Sequence, residues 1–434
     1  MRRVAAVAGA ALLFGASVAC GSSSSSSAAP PADGGGGEAG ALSPGGDPPV
    51  CATTPGTGGT PEPRGDVAGA LDPTATKLVV FGGDEAVPAC PISSAHDHAG
   101  DTWLLDPGCG AWRQAPGDGP PARARHAMAT DATASRALLF GGRVRPGASG
   151  AYTLFNDVWS FDFAAETWQS VAASGAAPPA RSNTAIVVDT AGNQLVAFGG
   201  NTDTTGLAYT PLDDTWVMDL SSGAWRALAP STKPPARLFH AMAIDPASRV
   251  VYVMGGADAN ALTSPTFFRD VWALDLAKES WSQVDTAGDQ QRGRINHGMT
   301  FDTQSKRLVV FGGHDDGPLG NENDLNVLDL TASPARWTRL AHGDAQNKPA
   351  TGACAFPADF TTIDKASPER RSAFVFALRI DGRAFVIFAG KSDCGLVGDT
   401  WWWADGTEAW SVVKDSPVGL SCLSVKTTCT GLCG

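Results

Sequence analysis

No run of basic residues occurs in the 434-residue chain, and 44 acidic against 32 basic side chains leave a formal charge of -12. Binding to a phosphate backbone draws on clustered Lys and Arg that release counterions, so a nucleic-acid partner is excluded. The chain also lacks a serine-nucleophile elbow, a phosphate-binding loop and an HExxH helix. Charged residues make up only 18% against 43% apolar, the balance of a packed globular protein. What is abundant is Gly, at 51, and Pro, at 30, which indicates many turns rather than long helices and favours an all-β class.

The first twenty residues have the parts of an export signal: Arg2 and Arg3, an apolar core from Val4 to Val18, and small residues ending at Ala19-Cys20. That core is too short for a good membrane span, which needs about 20 apolar residues. The ending Ser17-Val18-Ala19-Cys20 resembles the bacterial lipobox, with Ser17 in place of the usual leucine. The resemblance implies acylation of Cys20 and a signal peptide over 1–20; the alternative is an ordinary secretory signal with an incidental cysteine. Six serines from Ser22 to Ser27, followed by Ala, Pro and Gly, cannot bury a core, so 21–62 reads as a flexible linker that lifts a domain off a bilayer.

An apolar run ending in two small residues recurs as KLVVFGG at 77–83, RALLFGG at 136–142, QLVAFGG at 194–200, VVYVMGG at 250–256, RLVVFGG at 307–313 and AFVIFAG at 384–390. Each run has the length of a strand covered on both faces, and a buried helix would need more. Its glycines suit a strand end that another chain approaches closely. A strand precedes each run, as in PPARLFHAMAID at 234–245, and two follow, as in DVWALD at 270–275 and the segment around Trp281. Four short strands per unit and six units predict a six-bladed β-propeller of four-stranded antiparallel blades over 63–414, leaving 415–434 as a cysteine-containing tail.

The diglycine after the second strand and the spaced aromatics of the third and fourth resemble the kelch repeat. Departures are Asn326 for the third-strand tryptophan of the fifth copy, Ala389 for a glycine in the sixth, and the crowded Trp401-Trp402-Trp403. Recurrent tryptophans are expected to fill the wedges between blades. Galactose oxidase resembles this chain in its blades, but its copper site relies on tyrosines, one joined to a cysteine. Here only Tyr152, Tyr209 and Tyr252 occur, none near a cysteine in sequence. No cofactor is expected.

Long connections gather on one rim, at 84–100, 143–156, 201–212, 257–269 and 314–323, and such a rim is where binding resides. An arginine recurs at the start of each innermost strand: Arg64, Arg123, Arg181, Arg237, Arg294 and Arg370, with His126, His240 and His297 three residues after three of them. As a ligand site, Arg123, His126, Arg181, Arg237, His240, Arg294 and His297 would hold an anion or sugar. Recurrence with the repeat favours instead arginines bonded to carbonyls or to the recurrent aspartates. His96 and His98, flanking Asp97, and His314, Asp315 and Asp316 are the metal-ligand candidates, although solvated loop groups are the expected state.

Once Cys20 is set aside, Cys51, Cys90, Cys109, Cys354, Cys394, Cys422, Cys429 and Cys433 remain as disulfide candidates: an even number in an exported chain. A bridge from Cys51 to the tail would clasp the ring, Cys354 could join Cys394, and Cys90 could join Cys109. These readings imply a non-catalytic binding or scaffold module, exported and lipid-anchored at the cell envelope. Its rim would meet a protein or glycan of the envelope. The alternative is a carbohydrate-active isomerase or lyase at the channel mouth, which the resemblance to kelch sugar epimerases implies.

Overall fold

A computed structural model describes residues 59–86, 96–147, 149–261, 266–289, 291–315, 320–347, 361–362, 364, 366–379, 384–392, 395–404 and 409–415. Cys20, Cys51, Cys90, Asp316, Cys354, Cys394 and the three tail cysteines lie outside them. The described part is all-β, and its six main sheets follow one another along the sequence as the blades of a propeller. Blade four shows the plan: Ala241–Asp245, Val250–Met254, Val271–Asp275 and Ser280–Gln283 pair in order, each antiparallel to the next. The other innermost strands are Ala68–Leu71, Ala127–Asp131, Ala185–Asp189, Gly298–Asp302 and Val375–Leu378. No helix among the described residues is long and apolar enough to cross a membrane.

Tryptophans fill the wedges as the spacing predicts. Outer-strand rings pack on a phenylalanine of the preceding blade, as Trp168 on Phe81, Trp225 on Phe140 and Trp281 on Phe198, with centroids 5.5, 5.4 and 5.1 Å apart, while Trp337 packs in one cluster with Met254 at that position. Trp112 closes the circle against Phe388 of the last blade at 4.6 Å. The three consecutive tryptophans divide between two wedges, Trp401 and Trp403 toward blade five and Trp402 toward blade one. Alternation along a strand allows no other arrangement.

Two cycles of main-chain hydrogen bonds hold blade to blade. In the first, the second residue after each of Arg64, Arg123, Arg181, Arg237, Arg294 and Arg371 donates to its counterpart in the preceding blade: Arg125 to Asp66, Asn183 to Arg125, Phe239 to Asn183, Asn296 to Phe239, Ala373 to Asn296, and Asp66 back to Ala373, all at 2.8–3.2 Å. These six residues form a closed collar around the axis, each with a positive φ of 52–61°. In the second cycle the last glycine of each FGG or its counterpart donates to the arginine carbonyl of the next blade, ending with Gly390 on Arg64 at 2.9 Å. The diglycine follows from this approach: a Cβ on Gly199, whose φ is +62°, would lie 2.7 Å from the Arg237 carbonyl oxygen. Blade six tolerates Ala389 at the same point with a φ of 63°. The ring thus closes without a shared blade, through main-chain bonds and the core joining blades one and six.

Candidate functional site

The recurrent arginines are clamps within blades. Arg237 is fully buried; its Nη1 and Nη2 donate to the Asp270 carboxylate at 2.8 and 2.9 Å, Nη1 also reaches the Gly255 carbonyl at 3.0 Å, and Nε donates to the Pro235 carbonyl at 3.2 Å. The indole N–H of Trp272 adds a bond to the same carboxylate at 2.7 Å. The same clamp joins Arg64 to Asp101, Arg123 to Asp157, Arg181 to Asp214 and Arg294 to Asp324. In blade five the Asn326 amide replaces the indole donor at 2.8 Å, which explains why that blade forms without the tryptophan. In blade six the clamp is Arg371 with Asp399, one residue beyond the predicted Arg370, which pairs with Asp344 at 3.1 Å. The ligand candidates Arg123, Arg181, Arg237 and Arg294 thus have their guanidinium groups bonded to carboxylates and carbonyls of their own blades. His126, His240 and His297 are buried beside them, and their ring nitrogens reach no hydrogen-bond partner of good geometry. Burial, reinforced by the adjacent clamp arginine, pushes each imidazole down to about 3.

The residues that do not repeat crowd the channel mouth. All six collar side chains, Asp66, Arg125, Asn183, Phe239, Asn296 and Ala373, line an upper axial chamber of about 200 Å³. A lower chamber of about 170 Å³ continues the axis, and Met128, Ile186, Met242, Met299 and Phe376 border both. The position after each diglycine varies likewise, as Asp84, Arg143, Asn201, Ala257, His314 and Lys391. Charge concentrates on blades one, two and six. Asp66 accepts from Lys391 Nζ at 2.6 Å and from Arg125 Nε at 3.1 Å. Burial alone would raise its pKa, but Arg125 and Lys391 overcome this and hold it well below the usual carboxylate range. Arg143 is 4% exposed, its Nε has no acceptor, and its guanidinium lies over the Tyr152 ring 3.9 Å from the centroid. Burial and the Arg125 cation lower its pKa to about 10. The opposite side of the mouth is apolar, with Leu238, Phe239, Ala257 and Phe267 packed together and Tyr209 and Ile295 against them.

Of the predicted metal ligands, the fold joins His96 and His98 to Asp84, which the sequence reading missed. Asp84 and His98 face each other across an antiparallel bridge, and the imidazole rings of His96 and His98 are 5.3 Å apart. His96 Nδ1 contacts Asp84 Oδ2, and Tyr152 Oη lies 2.6 Å from His96 Nε2. His314 and Asp315 form no such set: His314 Nδ1 bonds the Asp315 carbonyl at 2.7 Å, and the Asp315 carboxylate accepts from Arg292 at 2.9 Å. Nearby, Arg292, Glu322, Arg339, His342 and Asp344 border a cavity of about 340 Å³, where burial and the neighbouring Asp324 raise Glu322 to about 7. Cys109, on the turn after the third strand of blade one, is the disulfide candidate among the described residues.

Adagio-like protein 3 of Oryza sativa subsp. japonica is 29% identical over 276 residues, 61% of this chain and 40% of that protein. Kelch domain-containing protein 10 of Homo sapiens is 28% identical over 235 residues, 51% of this chain and 49% of that protein. The chain therefore spans under half the length of each. N-(sulfonatooxy)prop-2-enimidothioate sulfolyase of Thlaspi arvense is 28% identical over 295 residues, 65% of this chain and 75% of that enzyme. The KLHDC2/KLHL20/DRC7 Kelch-repeats domain matches residues 51–256, 186–363 and 247–426, so the chain belongs to the Kelch-repeat family.

Proposed function

We propose that this propeller is a binding module that seats its ligand in the mouth of the axial channel, on the rim of long loops. One observation carries the reading: six collar positions share one backbone geometry and one hydrogen-bond pattern yet hold an acid, an arginine, two asparagines, a phenylalanine and an alanine. Scaffold requirements explain residues that recur; they do not explain this variation. A mouth that is cationic over blades one, two and six and apolar over blades three and four suits a ligand with an anionic or polar end and an apolar body. Protein and carbohydrate partners both offer such groups, and the Kelch-repeat match supports the protein partner.

A second reading, a lyase or isomerase at the same mouth, draws support from the sulfolyase relative and from the chain of contacts joining Asp84, His96 and Tyr152. The test uses the immobilised full chain and its Arg143→Gln variant against envelope extract and a panel of acidic and neutral sugars. Retention of a partner by the parent and its loss from the variant supports the module. Turnover of a retained sugar favours the second reading, and equal retention by both proteins refutes the site.

The envelope location is part of the same proposal. Export, acylation at Cys20, the linker and stapling by disulfides form one physical scheme, in which a ring is held off a membrane by a flexible tether. Mass spectrometry of the mature N-terminus would show a diacylated Cys20, and peptide mapping without reductant would show the cysteine pairs.

A further inference from the structure

Asp84, His96 and His98 offer ligand atoms that all lie within 4.8 Å of one another, on two segments of blade one that meet at the rim. Their placement is fixed by main chain rather than by chance contact of loops. The bridge between Asp84 and His98 sets these two side by side, and the spacing of His96 and His98 in an extended segment sends both rings to one side. Asp84 is 4% exposed, and its Oδ1 is held by the amides of Ala86 at 3.1 Å and Asp97 at 3.0 Å, which leaves Oδ2 for the histidines. Both ring nitrogens of His98 are shut off from solvent and bond to nothing. An imidazole kept out of water with no partner loses hydrogen bonds it would make unfolded, a cost that a ligand at that position removes. His96 completes the set: with Nδ1 turned to Asp84, its Nε2 meets Tyr152 Oη at 2.6 Å. That is the outer contact by which metal-bound histidines are oriented.

We propose that Asp84, His96 and His98 bind one divalent transition-metal ion of the Zn²⁺ type, with Tyr152 as an outer-shell partner of His96. Two imidazoles and one carboxylate match the borderline character of Zn²⁺ and leave an open coordination position. Asp84 Oδ2 and His96 Nδ1 are in direct contact, and an ion between them would part these atoms to about 3.3 Å in tetrahedral geometry. The inference stands apart from the function proposed above, because a metal here serves a binding rim and an enzyme equally.

The experiment is equilibrium dialysis of the full, unreduced chain, stripped with chelator, against Zn²⁺ at neutral pH, with bound metal counted by mass spectrometry. Co²⁺ is used in parallel for its visible d–d spectrum. The expected result is one Zn²⁺ per chain, lost at least tenfold in affinity in both His98→Ala and Asp84→Asn, while a His342→Ala control keeps full binding. Thermal melts of the stripped proteins verify that the variants fold, and His98→Asn substitutes if His98→Ala does not. Absence of binding by the parent chain at a hundred-micromolar Zn²⁺ overturns the site, as does full binding in either ligand variant or a Co²⁺ spectrum unchanged by them.

Discussion

Acid sensitivity between about pH 7.5 and 5.5 should come chiefly from three buried histidines. His126, His240 and His297 are held at about 3 in the fold, against an ordinary value of 6.5. The sign follows from proton counting. Below about 6.5 the unfolded chain takes up a proton at each ring and the folded chain does not, so stability is full above that value and falls as the pH drops toward 3. For one ring, moving from about pH 7.5 to 5.5 costs about 1.4 kcal/mol, and three independent rings cost about 4 kcal/mol, a large share of a typical domain's stability. Burial and the clamp arginines outweigh what opposes them: the Phe81 backbone and Asp157 act to raise His126, the Phe198 backbone to raise His240 and Asp324 to raise His297, but both aspartates are committed to their arginines. The clamp aspartates sit below the ordinary carboxylate value of 3.8, so their contribution is lost only at lower pH and does not blur the window. His98, held at about 4 by burial, costs about as much as one further ring over this window, and Glu322, raised to about 7, takes up its proton in the fold first and offsets that by about 2 kcal/mol, so the net decline stays near 4 kcal/mol.

Guanidinium chloride unfolding followed by circular dichroism at a series of pH values measures the effect. The stability should decline by about 4 kcal/mol over those two pH units, with a steepest slope equivalent to about three protons taken up on unfolding. His240→Gln should remove about one third of the slope whatever it does to stability at neutral pH. A decline under about 1 kcal/mol, or a slope unchanged in that variant, would refute the assignment of these imidazoles as buried and neutral.

Asp270→Asn leaves the Arg237 guanidinium buried with half its partner and should destabilise the chain by about 3–5 kcal/mol, read as a shifted denaturant midpoint. Gly199→Ala drives a Cβ against the Arg237 carbonyl at 2.7 Å and should cost at least about 1–3 kcal/mol by the same assay; an unshifted midpoint would contradict the close approach. Trp281→Ala empties a wedge between blades three and four and loses the bond to Thr215 Oγ1 at 3.1 Å, for about 3–5 kcal/mol.

The scaffold was legible because its physics repeats. Apolar runs of strand length, paired small residues and tryptophans at fixed offsets each recur six times, and repetition turns a weak local signal into a firm one. The one-residue slip from Arg370 to Arg371 shows the limit: two adjacent arginines follow the insertion before blade six, and only the spacing of eighteen residues to the carbonyl at Ala389 selects between them. The mouth was less legible for the opposite reason. Asp66, Arg125, Arg143 and Lys391 come from three blades and meet only when the ring closes, as the 325 residues between Lys391 and Asp66 make plain. His96 and His98 were visible as a pair, but their carboxylate, Asp84, reads in sequence as the residue after a diglycine. The informative signal there is departure from the repeat at a position whose backbone is constant.

That constancy makes the collar a test of its own. Each of its six residues occupies the left-handed region, where a residue with a Cβ is strained by about 1–2 kcal/mol and glycine is not. None of the six is glycine, although the collar bonds use main chain alone and would survive the change. Where the side chain contributes little, glycine should therefore stabilise the fold, and Ala373→Gly is expected to gain about 0.5–1 kcal/mol after the loss of unfolded-chain stiffness is counted. Where the side chain holds the mouth together the sign reverses. Asp66→Gly relieves the same strain but strips Arg125 and Lys391 of their shared carboxylate in a buried setting, so a net loss of about 2 kcal/mol or more is expected. Equal and stabilising effects at both positions in thermal melts would show the charged cluster to be idle, and with it the argument that variation around the collar exists to meet a ligand.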